Sequence, residues 1–406
     1  MNDSKIINDP VFGFIKIPHG LLLQIVQHPL MQRLTHIKQL GMASVVYPAA
    51  QHTRFQHSIG SLHLMSEAIT SLSQKGIFIF DSEAEAVEAA ILMHDIGHGP
   101  FSHVLENTLI HGISHEEISL LMMEQINREL NGALNLALMI FKDEYNKRFL
   151  HQLISSQLDM DRLDYLRRDS FFTGVHEGNI GSARIIKMLD VVDDKLVVNS
   201  KGIYSIENYL TSRRLMYWQV YLHKTVVAFE KMLVNILLRA KYLSQNGVRL
   251  FATPALRFFL ENDVDQTFFN EHPEALKYYE LLDDNDIWCS VKIWMEHEDK
   301  ILSTLAQSII HRHIFRVEVN DAPFDDEKIN TIASSIANAL GIPQEDAHYM
   351  MSVNTIQKDM YDVNDDRISI LYKDGTIKDI AESSDILNIN LLSKKIRKYY
   401  LCYHRF

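Results

Sequence analysis

The chain has 406 residues, 47% hydrophobic and 23% charged, enough for one large domain with a substantial core plus a smaller one. A formal net charge of −12 argues against a broad electrostatic footprint for duplex nucleic acid. There is no run of about 18 uncharged apolar residues and no signal-peptide layout at the N-terminus. Two cysteines, Cys289 and Cys402, exclude a disulfide framework, so the expected setting is a reducing cytoplasm with no membrane partner.

In chain order, Ser82-Glu83-Ala84-Glu85 reads as a capping box ahead of an apolar helix. Val87, Ala90, Ile91 and His94 recur at i, i+3, i+4 and i+7, so the buried stripe of that helix ends on His94. A helix over about 150–168 puts Ile154, Leu158, Asp161 and Tyr165 on one face. A carboxylate within an apolar stripe is costly unless something cationic meets it. A short hairpin is expected over 195–204, and a long helix over about 206–243 through Arg213, Tyr217, Tyr221 and Lys224.

Residues 1–310 thus read as one mostly helical domain and 311–406 as a small α+β module, with a strand at 314–319, a helix over 327–340 stopped by Gly341, and a hairpin around Asp374-Gly375.

The strongest chemical signal is His94-Asp95-Ile96-Gly97-His98-Gly99-Pro100-Phe101-Ser102-His103. A His-Asp pair means little in a chain with 20 histidines. Here, however, a helix ends, Gly and Pro break the chain, and two more histidines follow. An imidazole beside a carboxylate offers N and O donors to a borderline divalent ion such as Mn, Fe, Co, Ni or Zn. Ligands from elsewhere would complete the site and leave positions open for water and a phosphate oxygen.

Six blocks in order carry a family resemblance: Lys5 to Pro10, Gln32 to Gly41, Thr53 to Gly60, His94 to His103, Asp161 to Asp169, and Arg213 with Tyr221 to Lys224. Together they resemble the HD-domain phosphohydrolases, in the branch of bacterial dGTPase-like enzymes and the SAM-and-HD-domain dNTP triphosphohydrolase. The resemblance implies a mostly α, helical metal-dependent phosphohydrolase core. It places the ligands of one divalent ion (Mg also being admissible) on His57, His94, Asp95 and Asp161. Asp159 and Asp164 compete for the fourth place, but both miss the face shared by Ile154, Leu158 and Tyr165.

Around the phosphates the resemblance implicates Arg54, Arg162, Arg213 and Lys224, with Tyr165 donating a hydrogen bond. For proton transfer it implicates His98, His103 and His115, with Glu106 three residues after His103 on a helix. At the nucleoside end it points to Gln39 and Asp169 for the sugar 3′-hydroxyl, and to Leu40 and Tyr221 packed against C2′, a device suited to a deoxyribose.

The implied activity is hydrolysis of dNTPs to deoxynucleoside and inorganic triphosphate by a homo-oligomer, a dimer or tetramer. Alternatives are a 5′-nucleotidase or phosphodiesterase of the same family, or a non-catalytic nucleotide-binding regulator. Where regulated relatives read guanine with an Asp and an Arg, this chain has Gln27 and Thr35. GTP is therefore not expected to be an obligatory activator, and a dNTP activator is left open.

Overall fold

In the computed structural model, which describes residues 4–106, 108–358, 367–384 and 396–405, three helices frame the interior. Arg54–Gln74 packs against both Asp81–Met93 and Met160–Thr173. Ile59, Leu62 and Met65 on the first helix, Val87, Ala90 and Ile91 on the second, and Leu163 and Leu166 on the third are all buried. Removing the Ile, Leu, Met and Val side chains among them from water contributes about 1.5–3 kcal/mol each. The fold is mostly helical with a small α+β portion toward the C-terminus, as expected. No helix among the described residues is long and apolar enough to cross a membrane.

Several boundaries differ from the sequence reading, each for a local reason. The helix before His94 begins at Asp81, so Ser82 lies inside it. Phe80 is the cap, and Glu83 reaches back to accept its backbone N–H at 2.9 Å. The helix expected over 150–168 is two, Arg148–Ile154 and Met160–Thr173. Asp159 breaks it by accepting the backbone N–H of Ser156 at 2.9 Å and of Arg162 at 2.7 Å, the signature of an N-cap. Ile154 and Leu158 therefore do not share a helical face with Asp161 and Tyr165.

The long helix expected over 206–243 is likewise divided. Ile203–Met216 and Lys224–Gln245 are separated by a π-turn over Tyr217–Tyr221 and a cap at His223. Such wide turns recur at functional sites. The hairpin lies slightly earlier than expected. Leu189–Val192 pairs with Lys195–Asn199 across Asp193 and Asp194, whose φ values of 50° and 56° fit a tight two-residue turn.

Toward the C-terminus, Ile396–Tyr403 lies between Arg316–Asn320 and Met351–Lys358, antiparallel to both. The helix Asp326–Leu340 is capped by Asp325 and ends on Gly341 at φ 60°. The expected hairpin pairs Ser369–Leu371 with Ile377–Asp379. Ser369–Leu371 also runs parallel to Lys195–Asn199, so four strands form one sheet across the 310 position. An N-terminal hairpin not anticipated from sequence, Ser4–Asp9 with Gly13–Pro18, buries Ile15 and Ile17 and brings Asp9 inward.

Candidate metal centre

The packing of those three helices brings four side chains to one point. His57 Nε2 lies 3.2 Å from His94 Nε2 and 3.0 Å from Asp161 Oδ1. His94 Nε2 is 3.4 Å from both Asp161 Oδ1 and Asp95 Oδ1, and His57 Nε2 is 3.7 Å from Asp95 Oδ2. His57 Nδ1 sits 2.6 Å from the Asp164 carboxylate, and His94 Nδ1 sits 2.6 Å from the Ile91 carbonyl. Both partners only accept, so each Nδ1 carries a hydrogen. The two neutral rings then aim Nε2 lone pairs at one another across 3.2 Å, which is repulsive unless a cation lies between them.

A proton is one such cation. Burial lowers the His57 pKa, but hydrogen bonds to Asp161 and Asp164 more than offset it and raise it to about 10. A divalent ion is the other, and two imidazoles with neighbouring carboxylates would suit a borderline metal. His57, His94 and Asp161 also lie close enough together to share an ion by ligand-atom spacing.

The buried network behind this cluster is not legible in sequence. Arg168 donates to both oxygens of Asp164 at 3.0 Å and to Asp9 at 2.7 Å, all of them buried. Gly60 makes that approach possible, since a Cβ there would lie 2.0 Å from Asp164 Oδ1 and 2.2 Å from Arg168 Nη2. Partners that fix the far nitrogen of a ligating histidine typically contribute about 10- to 100-fold in metal affinity. Asp164→Asn is therefore expected to weaken metal binding by about that factor, read by competition with a chelator. Unchanged affinity would reduce Asp164 to packing.

A second cluster adjoins the first through Asp95. His98 Nε2 lies 3.3 Å from Asp95 Oδ1, and His98 Nδ1 lies 2.7 Å from Ser102 Oγ. Ser102 donates to Glu106 Oε1 at 3.1 Å, and the same oxygen is 3.0 Å from His115 Nδ1. The His98 and His115 rings stack at 3.9 Å, 17° from parallel. Gly97 allows it: a Cβ there would meet the Ser119 nitrogen and the His115 carbonyl at 2.2 and 2.3 Å. Burial and then Arg54 push His98 down to about 3, against the pull of Asp95, so its imidazole is neutral near neutral pH. A neutral imidazole beside a carboxylate-held one can relay a proton. The side chain of His103 lies outside the described residues.

The expected cations divide. Arg54 Nη1 donates to Asp95 Oδ2 at 2.7 Å. Arg162 pairs with Asp159, and Arg213 gathers with Arg162, Tyr165 and Tyr209. Burial, with Tyr217 next, holds the Tyr165 hydroxyl protonated well above its ordinary range. Lys224 stands exposed at the first turn of its helix, outside these hydrogen bonds.

At the other end of the site, Gln39 Oε1 is buried with no partner among the described residues, and Leu40 is half-buried. Asp169 receives Tyr221 O–H at 2.7 Å and lies 2.7 Å from His52 Nε2. The Tyr221 ring stands edge-on to Tyr165 and Tyr217. Asp161, Tyr165 and Asp169 sit at i, i+4 and i+8, spanning about 12 Å along one face of their helix.

The sequence profile of the HD domain matches residues 54–169, and that of the HD associated region matches 180–251. The uncharacterized protein YwfO of Bacillus subtilis is 31% identical, covering 100% of this chain and 93% of its own length. Human deoxynucleoside triphosphate triphosphohydrolase SAMHD1 is 30% identical over 59% of this chain and 45% of that protein. This chain therefore spans under half of the human protein's length. A crystal structure of a phosphohydrolase from Bacteroides thetaiotaomicron superposes with a TM-score of 0.97 at 67% identity, covering 99% of this chain and 100% of that one.

Proposed function

We propose a function from one premise: the chain belongs to the HD-domain phosphohydrolase family, in its SAMHD1-like branch. It hydrolyses deoxynucleoside triphosphates to deoxynucleoside and inorganic triphosphate. One divalent ion is held by His57, His94, Asp95 and Asp161. The observation that carries this reading is the order of groups along one helix face. A metal-side carboxylate (Asp161), a phosphate-side hydroxyl (Tyr165) and a buried carboxylate for a sugar hydroxyl (Asp169) follow in sequence. A phosphomonoesterase acting without regard to the sugar has no use for the last.

When bound, the ion supplies Lewis acidity toward water and a phosphate oxygen. Arg162 and Arg213 neutralise the triphosphate, and the Tyr165 O–H, protonated at working pH, donates to it. Water adds to the α-phosphorus and the bond to the 5′ oxygen breaks. His115, held by Glu106, supplies the proton that the departing oxygen needs, and His98 relays protons on the Asp95 side. Leu40 and the Tyr221 ring crowd C2′, where an unpaired ribose hydroxyl costs about 1–3 kcal/mol.

A panel of dNTPs and NTPs with Mn, Mg, Co and Zn, assayed for released triphosphate, tests the reading. Triphosphate from dNTPs, with NTPs slower by about tenfold or more, is expected; equal use of both sugars would refute it. The working assembly is a homo-oligomer. A monomer by light scattering at micromolar protein with saturating dNTP would contradict that part.

A further inference from the structure

Asp169 is 1% exposed, so its carboxylate depends on hydrogen bonds from the protein. Tyr221 O–H supplies one, to Oδ2. The other comes from His52, whose Nε2 lies 2.7 Å from Oδ1. The carboxylate only accepts, so His52 Nε2 carries the hydrogen, and in the neutral ring Nδ1 keeps a lone pair. His52 Nδ1 is buried without a partner among the described residues, which agrees with that tautomer.

Two further contacts fix this imidazole. Its face stacks on Phe172, centroids 4.5 Å apart and 16° from parallel, and Phe172 follows Asp169 by three residues on the same helix. Its backbone carbonyl accepts the Gln39 N–H at 3.0 Å. His52 therefore ties together the two residues given to the sugar, Gln39 through its backbone and Asp169 through its ring. It is itself 2% exposed.

We infer that His52 is a positioning residue for sugar recognition. It holds the Asp169 carboxylate in one rotamer with a lone pair free, so that a substrate 3′-hydroxyl donates to it. This rests on the dNTP reading above. One oxygen of Asp169 is oriented by His52 and the other by Tyr221, and each oxygen retains one acceptor site. Without the His52 donor, Oδ1 is left buried and unsatisfied. The carboxylate then turns toward another donor and away from the hydroxyl.

The test compares kcat and KM for dATP and 2′,3′-dideoxy-ATP in the wild type, His52→Phe and His52→Gln. Phe keeps a flat ring on Phe172 but donates nothing; the Gln amide nitrogen reaches the place of Nε2. The wild type is expected to favour dATP in kcat/KM by about tenfold or more, because the dideoxy analogue lacks the hydroxyl that fills the remaining acceptor site of Asp169. In His52→Phe the preference falls to within about twofold, through a higher KM for dATP, with bound metal retained. His52→Gln restores most of it.

Equal losses on both substrates in the Phe variant would mean packing alone and overturn the inference, as would a preference left at the wild-type value. Either result leaves the dNTP reading standing. A wild type indifferent to the 3′-hydroxyl would overturn the sugar site and the role of His52 together. Should the Phe variant melt below assay temperature, His52→Asn, with an amide one methylene too short, gives the same comparison.

Discussion

Asp95→Asn is expected to leave the protein without bound metal and to lower turnover by about a thousandfold or more. Asp95 is the carboxylate that joins the His57–His94 pair, the His98 cluster and Arg54. One oxygen lies 3.4 Å from His94 Nε2 and 3.3 Å from His98 Nε2, while the other accepts Arg54 at 2.7 Å and lies 3.7 Å from His57. An amide removes the negative charge and turns one acceptor into a donor. With the amide oxygen kept toward Arg54, its N–H2 faces the Nε2 lone pair of His94, so the side that would meet a metal donates instead of accepting. Lewis-acid stabilisation of a phosphoryl oxygen is worth several kcal/mol, and each decade of rate is about 1.4 kcal/mol, which sets the size of the loss. The same change strips Arg54 of a buried counterion, and breaking such pairs costs about 3–5 kcal/mol. Metal content by elemental analysis must therefore be read beside a melting curve. A folded Asn variant with full metal occupancy would contradict the ligand set.

His115→Gln is expected to lower kcat by about 10²- to 10⁴-fold while metal stays bound and KM changes little. His115 is held from two sides, by Glu106 at Nδ1 and by the stacked His98 ring. Gln can keep a hydrogen bond to Glu106, but it neither takes up nor gives away a proton near neutral pH. The loss thus falls on the chemical step and not on binding. His115 is also the first residue of the helix His115–Glu129, directly after its cap Ser114. A residue there with only a capping-region role would leave kcat within about threefold.

Much of this site is legible in sequence because the helices that build it announce themselves. The period-3.6 stripe of Val87, Ala90 and Ile91 leads to His94, and the Gly97 that follows is required by the close crossing of the His115 helix. The family resemblance places Asp161 in the ligand set, but the helical face through Ile154 and Leu158 that favours it over Asp159 and Asp164 does not exist, because Asp159 caps a new helix there. That cap competes with an apolar pattern running through it, and pattern alone favours the longer helix. The π-turn at Tyr217–Tyr221 leaves no local mark either, since its tyrosines fit an ordinary helix as well.

What sequence conceals altogether is long-range pairing. His52 meets Asp169 across 117 positions, Arg168 meets Asp9 across 159, and neither contact has a period or spacing to betray it. The parallel pairing of Val198 with Ile370 is hidden for the same reason. The Asp164–Arg168 pair at i, i+4 was the one local signal available, and it reads equally as a surface salt bridge until burial is known.

The most direct measurement of the central claim is the fate of solvent oxygen. The metal-loaded protein is incubated with dATP in ¹⁸O-water and the products are followed by phosphorus NMR and mass spectrometry. Attack at the α-phosphorus predicts inorganic triphosphate carrying one ¹⁸O and unlabelled deoxyadenosine, with no build-up of dADP or dAMP. Labelled orthophosphate with dADP, labelled pyrophosphate or dAMP, or label in the deoxyadenosine would each contradict the proposed reaction.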